Sequence, residues 1–215
     1  MKHDPVKTSP ETRGHLQRAL QFLKLAAVVL PPRHIPLTCN RPVAIVYTDA
    51  MFTPGKPSGL SYVLRLPNGT VIAAPMIASV EELAFFLPRR TQINQLEALA
   101  LLAVVFNLKD ALRHMDLLAF IDNQGALAAV ISGYSKNADA ADVVCMLHLL
   151  LASADIRLWA EWVDSAANVA DELSRNPEAM QPKWLLGPNR VPELQVLGKW
   201  SLQTLWDAFS SARAV

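Results

Sequence analysis

Cysteine is nearly absent from this 215-residue chain, which holds only Cys39 and Cys145. Two cysteines so far apart make neither a disulfide framework nor a zinc-ligand spacing. They read as reduced packing residues in a cytosol-like, intracellular compartment. Long apolar runs are missing too. The longest, Leu99 to Phe106, is too short to cross a bilayer, so no membrane partner is expected. The first twenty residues include Lys2, His3, Asp4, Pro5, Glu11 and Arg13, which leaves no signal-peptide core, and Asp4 and Glu11 count against mitochondrial targeting. No G-x-S-x-G, G-x-G-x-x-G or Walker-type loop occurs, so serine-hydrolase elbows, dinucleotide folds and phosphate loops have no support.

Net charge is also small, at +1, but it is unevenly spread. Residues 1–41 hold seven Lys/Arg against two acids, a net +5, and the remainder is −4. A basic arm ahead of an acidic domain suits a phosphate-bearing partner and a metal-binding centre; it equally suits an ordinary solvated helix. Hydrophobic content of 52% with 18% charge indicates a globular chain with a large core.

Apolar spacing predicts a helix from Glu11 to Leu30, ended by Pro31-Pro32. Pro42–Asp49 reads as a buried strand, and 51–59 as a loop. Leu60–Leu66 and Thr70–Ile77 flank Pro67-Asn68-Gly69, a hairpin signal. Ile93, Leu96, Ala100, Val104 and Leu108 place a long helix over 92–113. Then come a strand at Leu117–Ile121, a short helix at Gln124–Ile131 stopped by Gly133, and a helix at Asp139–Ser153. A strand at Ile156–Val163 and a helix from Val169 to Ser174 follow. The last forty residues, with Pro177, Pro182, Pro188, Pro192, Trp200 and Trp206, read as a tail ending in a helix at 201–211. This order implies a mixed α/β sheet with helices on both faces.

Four acids occupy unusual places in that scheme. Asp49 and Asp122 each end an apolar strand, and they meet only if their strands are parallel neighbours. Glu97 falls on the apolar face of its helix, where a carboxylate must be protonated, paired or liganded; the bland alternative is a solvated edge position. Asp171 follows Asn168 in a capping-like pattern, and Asp122 could N-cap the 124–131 helix. Singly, each acid is explained by structure. Clustered, they would repel one another unless cations neutralised them, and oxygen donors select Mg²⁺ or Mn²⁺.

The segments "VYTDA", "INQLEALALL", "FIDNQGAL" and "EWVDSAANVADELSR" resemble, in that order, the ribonuclease H domain of retroelement reverse transcriptases, especially the retrotransposon type ending in "NxADxxSR". The resemblance covers about residues 42–176. It implies a ribonuclease H-like domain over 42–176, behind a basic helical and connecting segment (1–41) and before the proline-rich tail (177–215). Implied too are a mixed five-stranded sheet, three strands antiparallel and the rest parallel, and hydrolysis of the RNA strand of RNA–DNA hybrids with two Mg²⁺ ions, Mn²⁺ as substitute. The family's metal-binding and catalytic acids fall on Asp49, Glu97, Asp122 and Asp171. Its minor-groove amides fall on Asn94, Gln95 and Gln124, whose structural alternatives are surface-helix and cap residues. Arg89 and Arg90 are either phosphate contacts or a solvated turn. The loop histidine of many cellular members is replaced by "VDSAAN" (163–168), and His114 and His148 are expected inside helices. No polymerase motif is present, so the chain is expected to be an excised piece or a free-standing relative that works beside a polymerase domain. The alternative reading is a domesticated, inactive subunit binding RNA or protein in a ribonucleoprotein. An integrase or resolvase of the same fold fits the placement of Glu97 less well.

Overall fold

The computed structural model describes residues 10–29, 40–176 and 194–196. The chain divides into two compact units, 1–35 and 36–215. In the first, Pro10–Val29 form helix α1, with Leu16, Leu20 and Leu23 at least half exposed. The expected connecting segment at 30–37 and the expected C-terminal helix at 201–211 lie outside the described residues. No described helix is long and apolar enough to cross a membrane.

The second unit begins with three antiparallel strands, β1 (Val43–Met51), β2 (Ser58–Arg65) and β3 (Val71–Ala78). Gly69, at φ 88°, turns the β2–β3 hairpin where Asn-Gly predicts it. After the short α2 (Val80–Leu83) come α3 (Ile93–Leu112), β4 (Asp116–Ile121), α4 (Gln124–Ser132), α5 (Ala138–Ser153), β5 (Arg157–Trp162) and α6 (Asp171–Arg175). Strand order is β5-β4-β1-β2-β3, with β4 parallel to β1 and β5 parallel to β4. The five-stranded mixed sheet expected from the sequence is present. One addition was not expected: Leu194–Val196, within the tail, form β6 and extend the sheet parallel to β3.

Alternation along the strands builds two cores. Leu60, Tyr62 and Leu64 of β2 join Ala44 and Val46 of β1 and Leu117, Ala119 and Ile121 of β4 under α3, α4 and α5. Val63, Val71 and Ala73 point the other way and pack on Ala170 and Leu173 at α6. Helix α3 is buried all round from Gln95 to Val105, as its lack of a polar face requires. Each fully buried leucine there contributes about 1.5–3 kcal/mol of transfer free energy.

The N-terminal ends of the parallel strands are tied by charge. Arg157 Nε and Nη2 reach Asp116 at 2.7 and 2.6 Å, and Arg41 Nε donates to the His114 carbonyl at 2.9 Å. His114 is not helical as expected. It takes φ 61° just past α3 and meets Asp155, at φ 52° just past α5, through a 2.8 Å contact to Nδ1. Both occupy the left-handed position that ends a helix, a place the sequence marks only when glycine fills it. His148 stays within α5 and its Nε2 contacts the Val130 carbonyl at 2.9 Å.

Candidate metal and nucleic-acid site

The opposite ends of the strands carry the acids. Parallel pairing sets Thr48 beside Ile121, so Asp49, still within β1 and opposite Ser61 of β2, lies level with Asp122 just past the end of β4. Asp49, Glu97 and Asp122 each bring one carboxylate oxygen to a group whose members all lie within 4.8 Å of one another. Asp49 is 4% exposed and Glu97 3%, and the Glu97 Oε2 atom has no hydrogen-bond partner. Oxygen donors so close, one of them orphaned in the interior, fit a hard divalent cation.

The electrostatics agree with the geometry. Burial pushes the Glu97 carboxyl from its ordinary 4.5 to about 9, and the charges of Asp49 and Asp122 add to the rise against the backbone N–H of Ala50. Burial likewise lifts Asp49 from 3.8 to about 7, opposed by the Ser174 hydroxyl and raised further by Asp122 and Asp171. Without a cation the crevice favours protons on its inner acids.

Each acid is held by neighbours. Ser174 Oγ donates to Asp49 Oδ2, and Asn168 Nδ2 reaches the Thr48 carbonyl at 2.9 Å and Asp49 Oδ1 at 3.4 Å. The Ser165 hydroxyl donates to Asp122 Oδ2 at 2.7 Å from the short 3₁₀ turn Ser165–Ala167. Asp171 lies outside the close group of three; Arg175 Nε sits 2.8 Å from both of its carboxylate oxygens.

Both capping expectations are corrected. Asn123, not Asp122, caps α4, accepting from the Ala126 N–H at 2.9 Å. Its side chain reaches the third amide of the helix, which leaves the Asp122 carboxylate free to turn into the crevice. Helix α6 starts at Asp171 and has no side-chain cap; Asn168 instead bonds the Ala170 N–H at 3.1 Å and fastens the loop to β1.

The amides separate as well. Asn94 and Gln124 are exposed, and an atom added at Gly125 would lie 2.8 Å from Asn94 Nδ2, so the Asn94 amide rests on the start of α4. Gln95, neither surface-helix residue nor exposed groove contact, is 1% exposed and accepts from Asn137 Nδ2 at 3.0 Å beneath that surface. Arg89 Nε lies 3.6 Å from Asp139, and Arg90 is exposed.

The sequence marks Asn168 as a capping partner of Asp171, and Asn168, Ser174 and Arg175 as letters of the "NVADELSR" motif, with no site role for them or for Ser165. Ser174 and Arg175 follow Asp171 by three and four residues and so share its helix face.

No family model matches the chain, and no curated protein matches it. Solved structures do. Ribonuclease H1 from Halobacterium salinarum NRC-1 is 20% identical, with a TM-score of 0.50 over 62% of this chain and 95% of that one. The N-terminal ribonuclease H domain of a Mycobacterium tuberculosis protein, solved as a fusion with maltose-binding protein, is 17% identical, with a TM-score of 0.50 over 63% and 92%. The fold is ribonuclease H-like.

Proposed function

We propose that the domain is a divalent-metal-dependent ribonuclease H that hydrolyses the RNA strand of RNA–DNA hybrids, of the kind carried by retroelement reverse transcriptases. The observation that carries this reading is the convergence of Asp49, Glu97 and Asp122 within 4.8 Å on a ribonuclease H-like sheet. Asp49, Glu97 and Asp122 would hold the first ion, and Asp171 would complete a pair of Mg²⁺ sites. When bound, such ions activate the attacking water and stabilise charge on the departing 3′ oxygen.

The chain's own residues do the rest. Glu97 is fixed by the Ala50 N–H, Asp49 by Ser174 and Asn168, and Asp122 by Ser165, so the donors are oriented before an ion arrives. Asn94 and Gln124, both exposed, would touch the minor groove, where 2′-hydroxyls distinguish RNA from DNA. Gln95 braces that strip from below through Asn137. Retroelement kinship is supported by "NVADELSR" at 168–175 and by the histidine-free loop.

The test is a substrate panel of RNA–DNA hybrid, duplex DNA and a four-way junction, each with Mg²⁺. Cleavage confined to the RNA of the hybrid supports the proposal. Cleavage of DNA or of the junction, or none at all, rejects it.

A further inference from the structure

Asp171 and Arg175 stand one turn apart on α6, and the Arg175 Nε lies 2.8 Å from both oxygens of Asp171. The three inner acids make a close group without Asp171. Its charge nonetheless acts on Asp49 and Glu97, and the positive charge of Arg175 acts on Asp49. A permanent cation therefore already sits in the field of the carboxylate cluster, paired with the fourth acid. Glu97 Oε2, buried without a hydrogen-bond partner, marks the inner end of the crevice as the part with a donor oxygen free for an ion. The site is asymmetric: open to an ion at its inner end, satisfied by a guanidinium at its outer end.

We propose that Arg175 is a positioning residue that controls the second cation position by holding Asp171 until an ion or an incoming phosphate replaces one of the two partners. The inference rests on the metal-dependent reading above. A second ion must take Asp171 oxygens that Arg175 now occupies, and it must do so against a like charge. Arginine stays protonated throughout the working pH range, so deprotonation does not release the latch. A phosphate on the bound strand does, since guanidinium pairs with phosphate as well as with carboxylate. The free protein then binds one ion well and the second poorly, and hybrid and second ion help each other bind.

The test is Mn²⁺ titration of the full chain without nucleic acid, followed by electron paramagnetic resonance of free Mn²⁺, for wild type, Arg175→Gln and Arg175→Lys. Wild type is expected to show one strong site and one weak site. Arg175→Gln should tighten the weak site by about fivefold or more, the scale of one exposed ion pair plus removal of a nearby like charge. Arg175→Lys should return the weak site towards wild type, because the charge is restored. Unchanged metal-free melting of both variants shows that the readout is not a folding defect. A second site unaltered in Arg175→Gln overturns the latch alone. Weaker hybrid binding with that unaltered site makes Arg175 a phosphate contact instead, which also overturns it. Absence of any Mn²⁺ binding by wild type overturns the metal-dependent reading and the latch with it.

Discussion

The hydroxyl of Ser174 donates to Asp49 Oδ2, joining α6 to β1. This bond opposes the effect of burial on Asp49, whose carboxyl is still lifted to about 7. Ser174→Ala removes the opposition, so protons compete harder for Asp49. Mn²⁺ affinity should fall about tenfold at pH 7, in the range found when an outer-shell partner is lost. The deficit should narrow at pH 9, where proton competition fades. Calorimetric titration at the two pH values checks this, and equal affinities for variant and wild type at pH 7 contradict it.

The inner acids make metal-free stability depend on pH. Asp49 and Glu97 have folded values of about 7 and about 9, against ordinary values of 3.8 and 4.5. The folded state therefore keeps protons that the unfolded chain releases, and stability falls as pH rises from the ordinary values through the folded ones. Thermal melts in chelator should show that decline, and the rise in melting temperature on adding Mn²⁺ should grow over the same interval. A metal-free melting temperature that climbs between pH 5 and pH 9 contradicts the burial of these carboxyls.

Capping and metal binding fall on adjacent residues and can be separated. Asn123→Ala removes the cap of α4 and should cost about 1 kcal/mol. Asp122→Asn removes a charge that raises the carboxyls of Asp49 and Glu97, so the metal-free protein should be as stable as wild type or more so, while Mn²⁺ binding collapses. Denaturant melts in chelator decide the matter. A loss in Asp122→Asn equal to that in Asn123→Ala would return Asp122 to a capping role.

Gly59 of β2 lets α6 approach the sheet. A Cβ there would lie 1.7 Å from the Ser174 carbonyl oxygen, a distance that only backbone movement can relieve. Gly59→Ala should destabilise by about 1–3 kcal/mol, as overpacking does. It should also weaken Mn²⁺ binding, because Ser174 and Asn168 move with the loop and helix that brace Asp49. Loss of stability with unchanged Mn²⁺ affinity would mean that α6 does not organise the site.

Much of this was legible in residue order. Apolar runs ending in Asp49 and Asp122 announced two strands, and an inward Glu97 on a helix without a polar face announced a buried carboxyl. What was not legible depends on distant or subtle geometry. Asp122 and Asn123 are both good caps, and only the backbone shows that Asn123 reaches the Ala126 amide. Gln95 looked like a surface amide, but the turn before α5 covers it through Asn137, a contact 42 residues away. The left-handed turn at His114 hides because neither it nor Asp155 is glycine. Strand β6 hides because three residues are too few to show a period of two.

The most direct measurement is cleavage of an RNA–DNA hybrid labelled on its RNA strand, in Mg²⁺, by wild type beside Asp122→Asn and Glu97→Gln. The account predicts RNA fragments from wild type and intact RNA from both variants, each folded by its melting curve. Intact RNA with wild type, or equal cutting by Asp122→Asn, contradicts it.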